Sequence, residues 1–131
     1  MGSWRRLIYF LPAAIYCTLI FFISARSLKM KFGFIYWDKG AHWVEFTLLG
    51  LLLAFGFYHY LSGRVFLAFY LTLMTGFFIG LTDEIHQLFV RGRQCDWTDW
   101  VADAAGVLIG WYLFKLIYDR RHKALKTVRT T

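Results

Sequence analysis

Four stretches of this 131-residue chain are each long and apolar enough to cross a bilayer: Leu7–Ser24, Trp43–Leu61, Val65–Thr82 and Trp100–Tyr118. A spanning helix needs about 20 mostly apolar residues. Inside hydrocarbon its backbone N–H and C=O groups must bond to one another, so such stretches can only be helices. Four of them leave too little chain for a soluble domain. The expected fold is all-α: four transmembrane helices in a compact bundle, forming a single membrane domain over residues 1–131. The composition agrees, since 59% hydrophobic residues exceeds what a soluble domain of this size carries.

The first stretch follows Arg5 and Arg6 and ends in Ile23-Ser24-Ala25, which could be read as a secretory signal. Its run of about 18 apolar residues is longer than the usual 7–15-residue signal core, and Pro12 lies within its first turns. An uncleaved spanning helix is therefore expected. Orientation follows from the basic residues. Arg5, Arg6, Arg64 and six more between Lys115 and Arg129 make nine of the fifteen, and with four spans they fall on one side. The bias of Lys and Arg toward the cytoplasm places both termini there, with residues 119–131 as a basic tail against anionic lipid. A cytoplasmic membrane of bacterial type is implied. With no folded domain to present these basics, nucleic acid is not an expected partner.

Ser62-Gly63-Arg64 joins the second and third spans as a tight hairpin of helices. Gly76-x-x-x-Gly80 and Gly106-x-x-x-Gly110 set glycines one turn apart on spans three and four, a pattern that lets helices approach closely. Packing within the chain is the default for these faces, and a homodimer is the alternative. Trp37, Trp43, Trp97 and Trp100 gather at the outer boundary, and Tyr58, Tyr60, Trp111 and Tyr118 at the inner one, as an aromatic belt does. His59 and His122 are expected to be solvated and without a role. Cys17 lies within a span and Cys95 in a connection, so a disulfide between them is not expected.

Seven of the eight acidic residues occupy two short segments at the outer ends of the spans: Asp38 and Glu45, then Asp83, Glu84, Asp96, Asp99 and Asp103. A carboxylate deep in a bilayer costs roughly 2.5–3.5 kcal/mol on insertion scales, so each needs a partner. Asp38, His42 and Glu45 are spaced to line one helical face, with Lys39 beside them. Asp83 and Gln87 are one turn apart, next to Glu84, and Arg91 and Arg93 follow. Asp99, Asp103, Gly106 and Gly110 share one stripe, so the fourth helix turns its acids and glycines toward the same neighbour. The two segments should meet in one extracytoplasmic, acid-rich pocket.

These residues carry a resemblance. Asp38-Lys39-x-x-His42-x-x-x-Phe46-x-x-Leu49-Gly50, Asp83-Glu84-x-x-Gln87-x-Phe89-x-x-x-Arg93 and Asp99-x-x-x-Asp103-x-x-Gly106 resemble the VanZ-like family of small membrane proteins, from about Asp38 to Gly110. Asp103 stands where the family usually has Asn, leaving open whether this position also titrates. The family's founding member is tied to resistance to the lipoglycopeptide teicoplanin. The resemblance therefore implies a cell-envelope function, with membrane lipids and a lipid-linked envelope ligand or lipoglycopeptide as partners.

Three readings of the pocket follow. In the first, His42, Glu84 and Asp99 are the candidate catalytic groups. Asp38, Lys39, Glu45, Asp83, Gln87, Arg93 and Asp103 would then hold a lipid-linked or anionic ligand, Arg93 being suited to a bidentate grip. In the second, the acids only form ion pairs that hold the helix ends together, as in a structural or interaction protein. In the third, a divalent metal sits on the i, i+3 pairs His42/Glu45 and Asp83/His86; no cofactor or metal is the default expectation.

Overall fold

A computed structural model of the chain describes residues 3–25, 37–90 and 96–129, and the side chains of these except Ser3, residues 37–39 and residues 122–129. A 3-10 helix, Ser3–Phe10, runs into α1 (Leu11–Ser24); α2 (Trp37–Tyr60), α3 (Val65–Gln87) and α4 (Trp97–Arg129) follow. No strand occurs among the described residues. Four segments are long and apolar enough to span a membrane: Trp4–Ser24, Gly40–Tyr60, Val65–Gln87 and Trp97–Arg121. Large apolar side chains such as Phe66, Tyr70, Phe78, Leu108 and Ile117 stand exposed on their outward faces. A water-soluble monomer rarely exposes so much apolar surface; a lipid-embedded bundle does.

The helices extend beyond the apolar stretches. α2 begins six residues before Trp43, α3 continues five beyond Thr82, and α4 runs through the basic tail to Arg129. Asp83, Glu84 and Gln87 are therefore helical residues and not parts of a connection. The reason is the register of α3, whose buried residues Ala68, Thr72, Gly76, Gly80, Asp83, Glu84 and Gln87 recur every three or four positions. Small and polar residues lie on the inward stripe, Leu73 and Ile79 pack beside it, and apolar residues such as Phe66, Tyr70 and Phe78 face outward. Hydropathy along the chain registers the acids as an interruption, whereas the helix carries them inside.

α2 and α4 run side by side in the most extensive of the helix interfaces, and glycines explain why. A Cβ on Gly110 would lie 2.1 Å from the Thr47 carbonyl oxygen, and one on Gly106 2.7 Å from that of Trp43. From the opposite side, a Cβ on Gly50 would meet the Val107 backbone at 2.4 Å. Gly76 and Gly80 receive Val107 and Asp103. Both Gly-x-x-x-Gly faces considered above for a homodimer are thus occupied by the chain's own helices. Phe46, Leu49, Leu53 and Val107 form the core at this seam, and α1 adds Ala13 and Ile20.

Pro12 stands in the first turn of α1. It lacks the N–H that would bond to the Ile8 carbonyl, so the α-helical ladder starts there and the chain before it winds more tightly. Arg6 donates to the Tyr60 carbonyl at 3.3 Å and to the Ser62 hydroxyl, tying the start of the chain to the α2–α3 turn. That turn uses positive φ at Ser62 (56°) and Gly63 (82°), and the Gly63 N–H returns to the Tyr58 carbonyl at 3.0 Å, closing the helix end as such caps do.

Several of the aromatic residues expected at the boundaries pack between helices. Trp100 donates its indole N–H to the Phe77 carbonyl and lies against the Phe77 ring; Trp111 packs on Phe69, and Tyr58 on Tyr118. His59, expected to be solvated, is half-buried against Tyr9 and Phe55 and bonds to the Phe55 carbonyl at 2.8 Å. Cys17 is a free, half-buried thiol, and Cys95 lies outside the described residues.

Candidate functional site

α2 and α4 enter the bundle from the end at which α3 leaves it, so one end of the molecule collects His42, Glu84, Asp99 and Asp103. Each lies within roughly 10 Å of the end of its span at 1.5 Å rise per residue. All four are buried, Asp103 completely. His42 is on the α2 stripe that continues through Phe46, Leu49 and Leu53; Asp99 and Asp103 begin the α4 stripe that continues through Gly106 and Gly110.

The acids take distinct partners. His42 Nδ1 is 3.0 Å from Asp103 Oδ1, a bond between α2 and α4 at the level where the glycines bring those helices together. Gln87 donates to Asp83 Oδ2 at 2.9 Å, one turn apart on α3. Glu84 Oε2 accepts the backbone N–H of Asp96 at 3.0 Å. Asp96 in turn accepts from the backbone N–H and the hydroxyl of Thr98, which makes it the N-cap of α4. Glu84 thereby fastens the inner face of α3 to the start of α4, where the helix dipole favours negative charge.

His42, Glu84 and Asp99 each present a nitrogen or carboxylate oxygen, and these atoms lie within 4.8 Å of one another. Asp83 and Asp99 also act electrostatically on the His42–Asp103 pair. The two acidic segments therefore meet across three helices. The arrangement offers an imidazole oriented by one carboxylate, with two further carboxylates against it. Chemically it can hold a cation, hold a proton, or accept one from a bound hydroxyl.

Among the described residues singled out in the sequence, Glu45 and His86 do not join this group. Glu45 is half-buried on α2, and its charge acts on Tyr16 of α1. His86 turns toward α1 and stacks on Phe21 with ring centres 4.4 Å apart. Beside the i, i+3 pairs His42/Glu45 and Asp83/His86 read from the sequence, the structure thus brings together three donors drawn from three helices. The side chains of Asp38 and Lys39, and Arg91 and Arg93 altogether, lie outside the described residues. Asp119 pairs with Lys115 at 2.7 Å at the opposite end, beside a cleft of about 160 Å³ lined by Tyr58, Trp111, Phe114 and Tyr118. The sequence suggests His42, Lys39 and Arg93 as partners for Asp83, Glu84 and Asp99; His42 does lie against Glu84 and Asp99, but its hydrogen bond goes to Asp103. The signal that could have found it is the single stripe shared by Asp103, Gly106 and Gly110.

Fold and site together define a multi-pass membrane protein with a buried histidine–carboxylate centre at one end of its helices. The chain belongs to the VanZ/LLP1 family, whose model matches residues 3–118. No curated protein and no solved structure gives a significant match.

Proposed function

We propose that this protein serves the cell envelope from a bacterial cytoplasmic membrane, binding or modifying a lipid-linked or anionic envelope ligand at its buried histidine–carboxylate centre. Tolerance of lipoglycopeptides such as teicoplanin is the proposed consequence. The observation that carries the reading is the convergence of His42, Glu84 and Asp99 from three helices. Burying ionisable groups at the membrane edge is expensive, and such groups generally mark a working site. The distribution of basic residues favours an extracytoplasmic position for the centre, where a ligand of the outer leaflet could reach it. His42, held by Asp103, suits the role of general base; Glu84 and Asp99 would form the polar floor, and Arg93 the anchor for an anionic headgroup.

A second reading is supported by two specific bonds. His42 to Asp103 and Glu84 to the Asp96 N–H each clamp one helix to another, as a purely structural lock would. Glu84→Gln and Asp99→Asn keep size and most hydrogen bonding while removing charge, and Arg93→Lys removes the guanidinium fork. Expressed in a sensitised host, these variants should lose teicoplanin tolerance at normal membrane abundance. Full tolerance in all three would reject the working site and leave the lock.

A further inference from the structure

We infer that His42, Glu84 and Asp99 form a binding site for one divalent transition-metal ion of the zinc type. The inference goes beyond the envelope reading, making His42 a metal ligand in place of a general base, and rests on that reading only for what the metal would act upon; binding itself is a property of the purified chain.

The donor set is the first argument. One imidazole nitrogen and two carboxylate oxygens lie within 4.8 Å of one another. A zinc ion at about 2.0–2.2 Å from each donor holds them at most roughly 4.4 Å apart, so small rotations of the carboxylates suffice. A mixed set containing imidazole selects a transition ion over magnesium or calcium, which prefer oxygen alone. Three protein donors also leave a position for water or a ligand atom, as in catalytic zinc sites.

The second argument is Asp103. Its Oδ1 takes the Nδ1 side of His42 at 3.0 Å, which fixes the ring and leaves Nε2 as the coordinating nitrogen. A carboxylate on the far nitrogen of a ligating histidine is the usual outer partner of such a metal site. The side chain is fully buried, and its Oδ2 has no hydrogen-bond partner among the described residues. That oxygen is 3.1 Å from where a Cβ on Gly80 would sit, on α3 one turn from Glu84. The unpartnered oxygen therefore faces α3 one turn from Glu84, where a metal-bound water would satisfy it.

The test is zinc binding by the full chain in detergent, by equilibrium dialysis against Zn²⁺ with metal analysis, and by the visible spectrum of the Co²⁺ form. One ion per chain is expected, with a Co²⁺ spectrum of low-coordinate, nitrogen-containing type. His42→Gln, Glu84→Gln and Asp99→Asn should each abolish stoichiometric binding, and Asp103→Asn should weaken it about tenfold or more. His86→Gln should leave it unchanged. Helicity and elution volume check folding, and the wild-type stoichiometry decides even if a variant fails to fold. A wild-type chain that takes up no stoichiometric zinc, or a His42→Gln chain that still does, overturns the proposal. Metal binding without any effect of these variants on teicoplanin tolerance would reject the envelope reading and leave the metal site standing.

Discussion

His42 of α2 and Asp103 of α4 are bonded at 3.0 Å inside the bundle, joining two helices whose backbones touch at Gly50, Gly106 and Gly110. The polar pair and the close approach depend on each other. A wider spacing of α2 and α4 would break the bond, and loss of the bond would leave a polar group buried without a partner.

Asp103 offers the sharpest test of that pair. Asp103→Asn retains an oxygen for the His42 N–H and should cost less than about 1.5 kcal/mol, whereas Asp103→Ala strands His42 and should cost about 1–3 kcal/mol. Unfolding of both variants in mixed detergent micelles measures the difference. Equal stability of the alanine variant and the native chain would contradict the bond's importance.

Gly110→Ala would place a methyl group 2.1 Å from the Thr47 carbonyl oxygen and 2.6 Å from the Leu51 nitrogen. Both are backbone atoms, so the helices must separate, and a loss of at least about 1–3 kcal/mol is expected. Gly40→Ala is the control: nothing lies within 4 Å of its added Cβ, and an exposed helical alanine should be neutral or stabilising by up to about 1 kcal/mol. Thermal unfolding in detergent reads both. Should Gly110→Ala dissociate a dimer while leaving the monomer's stability intact, the assignment of this face to intramolecular packing is mistaken.

The α2–α3 turn depends on left-handed backbone at Gly63, with φ of 82°. Gly63→Ala should cost about 1–2 kcal/mol, the usual penalty for a Cβ in this region. The added Cβ also comes within 3.3 Å of the Tyr58 hydroxyl. Circular dichroism melts of the variant beside Gly40→Ala provide the comparison; matching melts would argue against the turn as described.

Orientation is testable in a cysteine-free background. Arg26→Cys and Gln94→Cys should react with a membrane-impermeant maleimide on intact cells, and Ala124→Cys should react only after lysis. The expectation follows from nine basic residues on one side against six on the other. Surface reaction at position 124 would transfer the histidine–carboxylate centre to the cytoplasmic face.

The spans were legible because hydropathy is a local property. About 20 apolar residues in a row need no partner to be recognised, and four such runs determined the class of fold. The stripe Asp99, Asp103, Gly106, Gly110 was legible for the same reason, since helical periodicity is set by one helix alone. Helix ends were less legible. Glu84 is polar in the sequence yet continues α3, because its side chain faces inward to partners that α3 does not itself supply.

Tertiary structure decided who those partners are. His42 lies three residues from Glu45 and 61 from Asp103, yet it bonds Asp103; His86 lies two residues from Glu84 but turns to Phe21 of α1. Such choices depend on how far one helix is rotated and shifted against another. Here that alignment was set by glycines allowing α2 and α4 into backbone contact. By itself the sequence determined four apolar helices and the residues available for a polar centre. The packing of three helices selected which of them meet, because azimuth and register between helices arise only when their surfaces are pressed together.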